Sequence, residues 1–198
     1  MTVQTDSGKI IRRITFLGLM TALTLILHAM GAFVKLGAFS ISPVLVPIAL
    51  GAIVCGPIGG AWLGGVSAVY ILLTGQAALF LGINAVGTVI TVLLKGILCG
   101  AVSGWIYKAL EKKNELLAVT IASVACPIVN TGIFFIGCLV FFLPTLSAEA
   151  GDTNVILYIL TAYIGGNFFF ELVVNLVFCP VIGRLVKLIP YKKGRFFK

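Results

Sequence analysis

Polar residues are scarce along this chain, and those inside apolar runs keep helical spacing. Tyr163, Asn167, Glu171 and Asn175 stand four apart within the run 157–188. Steps of four drift only about 40° each around a helix, so these groups form one stripe on one face. Asn84, Thr88, Thr91 and Lys95 follow a 4-3-4 spacing in an earlier run, again one helical face. Six apolar runs, at 14–33, 44–55, 58–74, 83–110, 116–143 and 157–188, predict membrane-spanning helices joined by loops. The second is short and holds Pro47, so it is expected to be kinked or packed inside the bundle. Gly56-Pro57 is a turn signal. The third run carries Gly59, Gly60, Gly64, Gly65 and Ala68, small residues that let another helix approach closely. Pro127 frees the Ser123 carbonyl and should bend the fifth helix.

Composition makes lipid the solvent. Of 198 residues, 60% are hydrophobic and 10% charged, and no soluble domain of this size could hide that much apolar surface. Runs of helical length argue for an all-α membrane protein, a six-transmembrane-helix bundle, over a barrel. The first run exceeds a secretory h-region, and further spans follow it. The net charge of +8 lies beside helix ends, where anionic lipid and membrane orientation explain it better than nucleic acid. The polar tail 1–9, the connection 111–115 and the basic tail 191–198 share one side, and the loops 31–43, 75–82 and 144–154 the other. Lys35 is the one cation in those three loops, so both termini are expected in the cytoplasm, flanking a membrane domain at 10–190. The five cysteines lie in or at the ends of apolar runs without CxxC spacing, and read as small packing residues.

A carboxylate in the middle of an apolar helix costs roughly 2.5–3.5 kcal/mol on insertion scales, so Glu171 needs an interior partner. At about 1.5 Å per residue, Lys95, Asn130 and Glu171 lie roughly 18, 21 and 22 Å along their helices, near mid-membrane. Lys95 and Glu171 are expected to pair, with Asn130, Asn167 and Thr91 supplying further hydrogen bonds. Two readings stay open: a structural pair that fixes helices four and six in register, or the floor of a polar site opening outward. In the second, Asn84, Thr88, Tyr163 and Asn167 become the better ligand contacts, and Lys35 can hold an anionic group. His28 reads as a helix-end residue, with no second His or carboxylate at metal-ligand spacing.

No GxxxxGK[ST] phosphate loop, HExxH or GxSxG is present, nor a convincing duplication of the two halves. A polar interior without an engine reads as a binding subunit driven by others. The chain resembles the substrate-binding S components of energy-coupling factor (ECF) vitamin transporters over nearly all of 10–190. The resemblance is carried by the six-span layout, "VPIALGAIVCGPIGGAWLG" across helices two and three and "LLKGILCGAVSGWIYK" in helix four, with "NTG" in helix five and "GGNFFFELVVN" in helix six.

That resemblance implies a plasma-membrane protein that captures a water-soluble vitamin from outside. It would work with a transmembrane T subunit and two cytoplasmic ATPases, without a cofactor of its own, and would topple in the membrane to release its cargo. Gly18 and Ala22, a small-xxx-small face on the first helix, would dock the T subunit where relatives carry AxxxA. Lys95 stands where relatives often have Arg, and keeps the charge without the bidentate fork. The family's outer-half site carries over to Lys35, Asn84, Thr88, Asn130, Asn167 and Glu171. The pattern is most similar to the pantothenate branch, whose ligand carboxylate could meet Lys35 or Lys95. Riboflavin, pyridoxine-type and folate carriers share the architecture. The rival readings are a self-sufficient small secondary carrier and an intramembrane enzyme using Glu171 and Lys95 as acid and base.

Overall fold

The computed structural model describes the backbone of residues 6–33, 35–36, 39–40 and 43–188, and the side chains of 8, 10–31 and 43–186. Helix α1 (Asp6–Phe33) begins inside the stretch expected to be a polar tail. The first outer connection holds a two-residue antiparallel ladder, β1 (Lys35–Leu36) and β2 (Phe39–Ser40), with Lys35 opposite Ser40. Then come α2 (Leu45–Leu73), α3 (Ala78–Ile83), α4 (Ala85–Leu110) and α5 (Glu115–Gly137). A π-helical turn (Cys138–Phe142) continues α5 into α6 (Leu143–Ala150), and α7 (Val155–Tyr158) passes through a second (Ile159–Ile164) into α8 (Gly165–Leu188). Five apolar stretches, Ile10–Gly31, Leu45–Leu73, Ala85–Leu110, Glu115–Ala150 and Val155–Val186, are long enough to cross a membrane.

The stretch Leu45–Leu73 takes up two of the six expected spans, because it folds back on itself. Gly56 sits at φ 77°, ψ −175°, a backbone region open essentially to glycine alone. Beyond it Leu63 packs on Gly51, and a Cβ on Gly60 would come within 2.6 Å of the Ala52 Cβ. Residues eight apart on a straight helix would be about 12 Å away. The arm 45–55 is about 16 Å long, half of a ~30 Å hydrocarbon core. Leu45 already lies level with Cys126, midway along α5, whose Sγ is 4.0 Å from its carbonyl. The arm therefore fills the inner half of the bundle, almost wholly buried, where sequence alone predicted a short span. Pro47 falls in its first turn and breaks no helical hydrogen bond. Arg13 of α1 ties down the turn, its Nη2 donating to the Cys55 carbonyl at 2.6 Å.

The arm 57–73 lies antiparallel on α4 at backbone contact. Gly60 faces Gly100 and Gly64 faces Gly96, each where a Cβ would overlap the opposite carbonyl, and a Cβ on Gly104 would come 2.7 Å from Pro57 Cα. The main packing then runs from α4 to α5 and from α5 to α8, so α5 separates the two helices that carry the polar stripes. α5 continues through Pro127 as helix. His28 is no helix-end residue: it is buried, stacks on Tyr70 (5.0 Å between centroids) and lies 2.6 Å from Ser67 Oγ. The pair joins α1 to α2.

Candidate functional site

Two polar stripes and the aromatic side chains between them enclose a cavity of about 420 Å³. The arm 57–73 and the turn after it contribute Ile71, Gln76 and Ala77, and α3 contributes Leu79 and Phe80. α4 supplies Thr88, Thr91, Val92 and Lys95, and α5 with its π-helical turn Asn130, Thr131, Phe134 and Phe142. The α7–α8 segment closes the ring with Ala162 to Ile164, Asn167, Phe168 and Glu171. With the basic clusters inside, α3 and the α6–α7 connection lie at the outer end of this space.

Local sequence explains each wall. Asn84 caps α4, its Oδ1 accepting from the Gly87 amide at 2.9 Å, and so sets the phase at which Thr88, Thr91 and Lys95 face inward. Thr88 returns its hydroxyl to the Asn84 carbonyl at 2.8 Å. A π-helical turn advances the chain by more residues per turn than α, and Ile159–Ile164 ends where the Gly165 amide reaches back to the Leu160 carbonyl. A Cβ on Gly165 would lie 2.9 Å from that oxygen. After this adjustment Tyr163, Asn167 and Glu171 remain on the cavity side, while Asn175 is buried below and donates to the Glu171 carbonyl at 2.9 Å.

The expected Lys95–Glu171 contact pair does not form among the described residues. Asn130 Nδ2 donates to Glu171 Oε2 at 3.5 Å, and Lys95 Nζ lies 5.2 Å from the centroid of the Phe134 ring. The physical reason is lateral: α4 and α8 pack on α5, so the two charges face one another across the cavity. No direct contact between these two charges joins the fourth and sixth spans among the described residues.

Six of the eight residues singled out as ligand contacts line this one cavity: Thr88, Lys95, Asn130, Tyr163, Asn167 and Glu171. Asn84 lies outside the lining and serves as a helix cap. Lys35 belongs to β1, beside the β2 strand that lies against α8; its side chain is outside the described residues. Spacing missed Phe80 and Glu149. Phe80 stacks edge-on to Phe134 and Tyr163, with centroids 5.3 and 5.5 Å away. Glu149, on α6, accepts from the Tyr163 hydroxyl at 2.9 Å; a carboxylate and a tyrosine fourteen residues apart give no periodic signal. Gly18 and Ala22 are exposed on α1, and nothing lies within 4 Å of a Cβ placed on Gly18. No group of three potential metal ligands occurs among the described residues.

The family model for the substrate-specific component of ECF transporters matches residues 12–183. The chain belongs to that family, as a transporter component of multi-pass membrane architecture. No curated protein and no solved structure matches it.

Proposed function

We propose that this protein is the capture subunit of an ECF-type importer, and that it binds a water-soluble vitamin from outside in the cavity between α4, α5 and α8. One observation carries the reading: a 420 Å³ space in the outer part of a membrane bundle, lined by both a lysine and a glutamate and walled by aromatic rings. That volume falls within the usual range for small-molecule sites, about 300–1,000 Å³. Ionisable groups placed so deep in an apolar bundle are costly and mark functional interiors. Thr88, Lys95, Asn130, Tyr163, Asn167 and Glu171 are the contacts, with Lys35 closing the site from the first outer connection. Pantothenate is the favoured ligand; riboflavin, pyridoxine-type vitamins and folate come next.

ATP-driven uptake then rests on a transmembrane T subunit and two cytoplasmic ATPases. The exposed Gly18–Ala22 face of α1 supports T-subunit docking at that position, since small residues allow close helix approach. Native mass spectrometry of the detergent-purified chain, followed by calorimetry with each water-soluble vitamin, tests the capture role. A retained or tightly bound vitamin is expected. A chain that binds none, yet moves a solute alone in proteoliposomes, would establish a self-sufficient carrier instead; chemical turnover by the lone chain would favour the enzyme.

A further inference from the structure

The inner half of the bundle carries a slot on its lipid-facing side. There the arm 57–73 and α4 meet backbone to backbone: Gly60 lies on Gly100, and a Cβ on Gly104 would come 2.7 Å from Pro57 Cα. Each side of the glycine junction continues in a small residue, Ala61 after Gly60 and Ala101 after Gly100. Two methyl groups do not fill the flank of such a junction. A groove of about 280 Å³ remains, lined by Pro57, Ile58, Ala61, Ala101, Trp105 and Lys108. Ala101 is buried, while Ile58 and Trp105 stand out from the surface at 65% and 59% exposure.

Ala101, Trp105 and Lys108 are four and three apart, so α4 presents them on one face. Toward the inner end of the helix they run from small to aromatic to cationic. Their span is about 10 Å along the axis. Spread over that length, 280 Å³ gives a mean cross-section of roughly 27 Å², against roughly 80 Å² for a helix about 10 Å across. The slot is too thin to seat a partner helix and suits a single hydrocarbon chain. Tryptophan is favoured at headgroup level, and a lysine can lay its stem along apolar surface while its ammonium reaches the interface. Lys108, in the last turn of α4, is the one charged residue of the lining among the described residues. In the connection that follows, Glu111 and Glu115 offset Lys112 and Lys113, so a charge preference here rests on Lys108. A basic mouth between two membrane helices on the cytoplasmic side is an arrangement that takes an anionic lipid headgroup.

We infer that this groove holds one anionic phospholipid of the inner leaflet, with an acyl chain along Ala61 and Ala101 and the headgroup phosphate at the Lys108 ammonium. The site is separate from the cavity between α4, α5 and α8, and stands whether or not that cavity captures a vitamin.

The test is native mass spectrometry of the full-length protein released from nanodiscs that mix phosphatidylglycerol and phosphatidylcholine of identical acyl chains. One phosphatidylglycerol per protein is expected to persist, enriched about fivefold over phosphatidylcholine, the scale of one lysine near an anionic surface. Lys108→Gln should bring the two lipids to parity, whereas Lys112→Gln, outside the groove, should keep the enrichment. Ala61→Leu and Ala101→Leu fill the slot from opposite helices, and each should remove the retained lipid. Thermal unfolding identifies a misfolded variant, and the two exposed lysine changes decide whatever the fate of the filled grooves. Equal retention of both lipids by the unaltered protein, or the same loss of enrichment in Lys112→Gln as in Lys108→Gln, overturns the site in favour of diffuse charge attraction. Lipid retained by folded filled-groove variants overturns it too, and a dimer abolished by Ala101→Leu would put a second copy of the protein there instead.

Discussion

The same substitution at two glycines of α5, five residues apart, should have opposite effects. At Gly132 nothing lies within 4 Å of an added Cβ; at Gly137 the new atom would meet Thr91, at 2.5 Å from Oγ1 and 3.0 Å from Cβ. Both positions are helical, with Gly137 at φ −58°, ψ −40°, so the helix-propensity gain of alanine over glycine, about 1 kcal/mol, is common to the two. What differs is overpacking, typically about 1–3 kcal/mol when a methyl is forced into a filled site. Gly137→Ala should therefore be less stable than Gly132→Ala by about 1–3 kcal/mol, or roughly 2–12 °C in Tm for a chain of this size. Because Thr91 also lines the cavity, pushing it to relieve the strain should change ligand affinity in Gly137→Ala, whereas Gly132→Ala leaves it unchanged. Thermal unfolding in nanodiscs and calorimetry with the bound vitamin read both effects. Equal Tm and equal affinity in the two variants would refute the close approach of α5 to Thr91.

Three further outcomes follow from the geometry. Gly56→Ala forces a side chain into a backbone region that disfavours it, so Tm should fall by the equivalent of about 1–3 kcal/mol; no loss would mean that the Leu45–Leu73 hairpin turns elsewhere. Asn84→Ala removes the α4 cap and should cost about 1 kcal/mol of stability in a melting assay, with no loss of vitamin affinity beyond that expected from unfolding. Direct ligand contact by Asn84 would appear as a selective affinity loss at unchanged Tm. Tyr163→Phe keeps the ring against Phe80 but loses the hydroxyl that donates to Glu149. Stopped-flow dissociation of the ligand should quicken roughly fivefold, about 1 kcal/mol for a surface hydrogen bond to a charged group, and an unchanged rate would show that the α6 contact does not help retain the ligand.

Periodicity carried the fold a long way, because lipid demands long apolar helices and a helix converts spacing directly into a shared face. Tyr163, Asn167 and Glu171, and likewise Thr88, Thr91 and Lys95, were legible as stripes for that reason, and both stripes face one cavity. Helical rise also gave the depth of Lys95, Asn130 and Glu171. Depth is only one coordinate, however. Nothing in the spacing said that α5 would stand between α4 and α8, and that lateral placement is what turns an expected ion pair into two separated charges. The stretch 144–154 read as loop because it is polar, yet α6 occupies its first part by burying Leu146 and Ala150. The π-helical turns were invisible, since a single extra residue per turn leaves an apolar run looking the same. Long-range pairings such as His28 with Ser67, or Gly137 with Thr91, leave no local trace at all.

The packing itself divides the molecule into two kinds of material, and the division suits capture. Toward the inner face, the α2 hairpin and α4 meet backbone to backbone through Gly60, Gly64, Gly96 and Gly100, and one cluster built around Ile48, Leu63, Val119 and Ile182 binds α2, α5 and α8 together. Glycine contacts of this kind leave no side chain that could turn to accommodate a movement, so this half can shift only as a unit. Around the cavity the packing is of another sort: a separate cluster of Cys138, Phe142, Leu146, Ile159 and Ile164 joins both π-helical turns to α6. There the contacts are between rings and side-chain ends, and the helices already carry the π-helical turns that recur at functional sites. A vitamin entering between α3 and the α6–α7 connection would meet the compliant half first, with Lys95 presented from α4, which the glycine contacts hold still. Affinity is then set by donors that need little reordering, and access by the segment that can give.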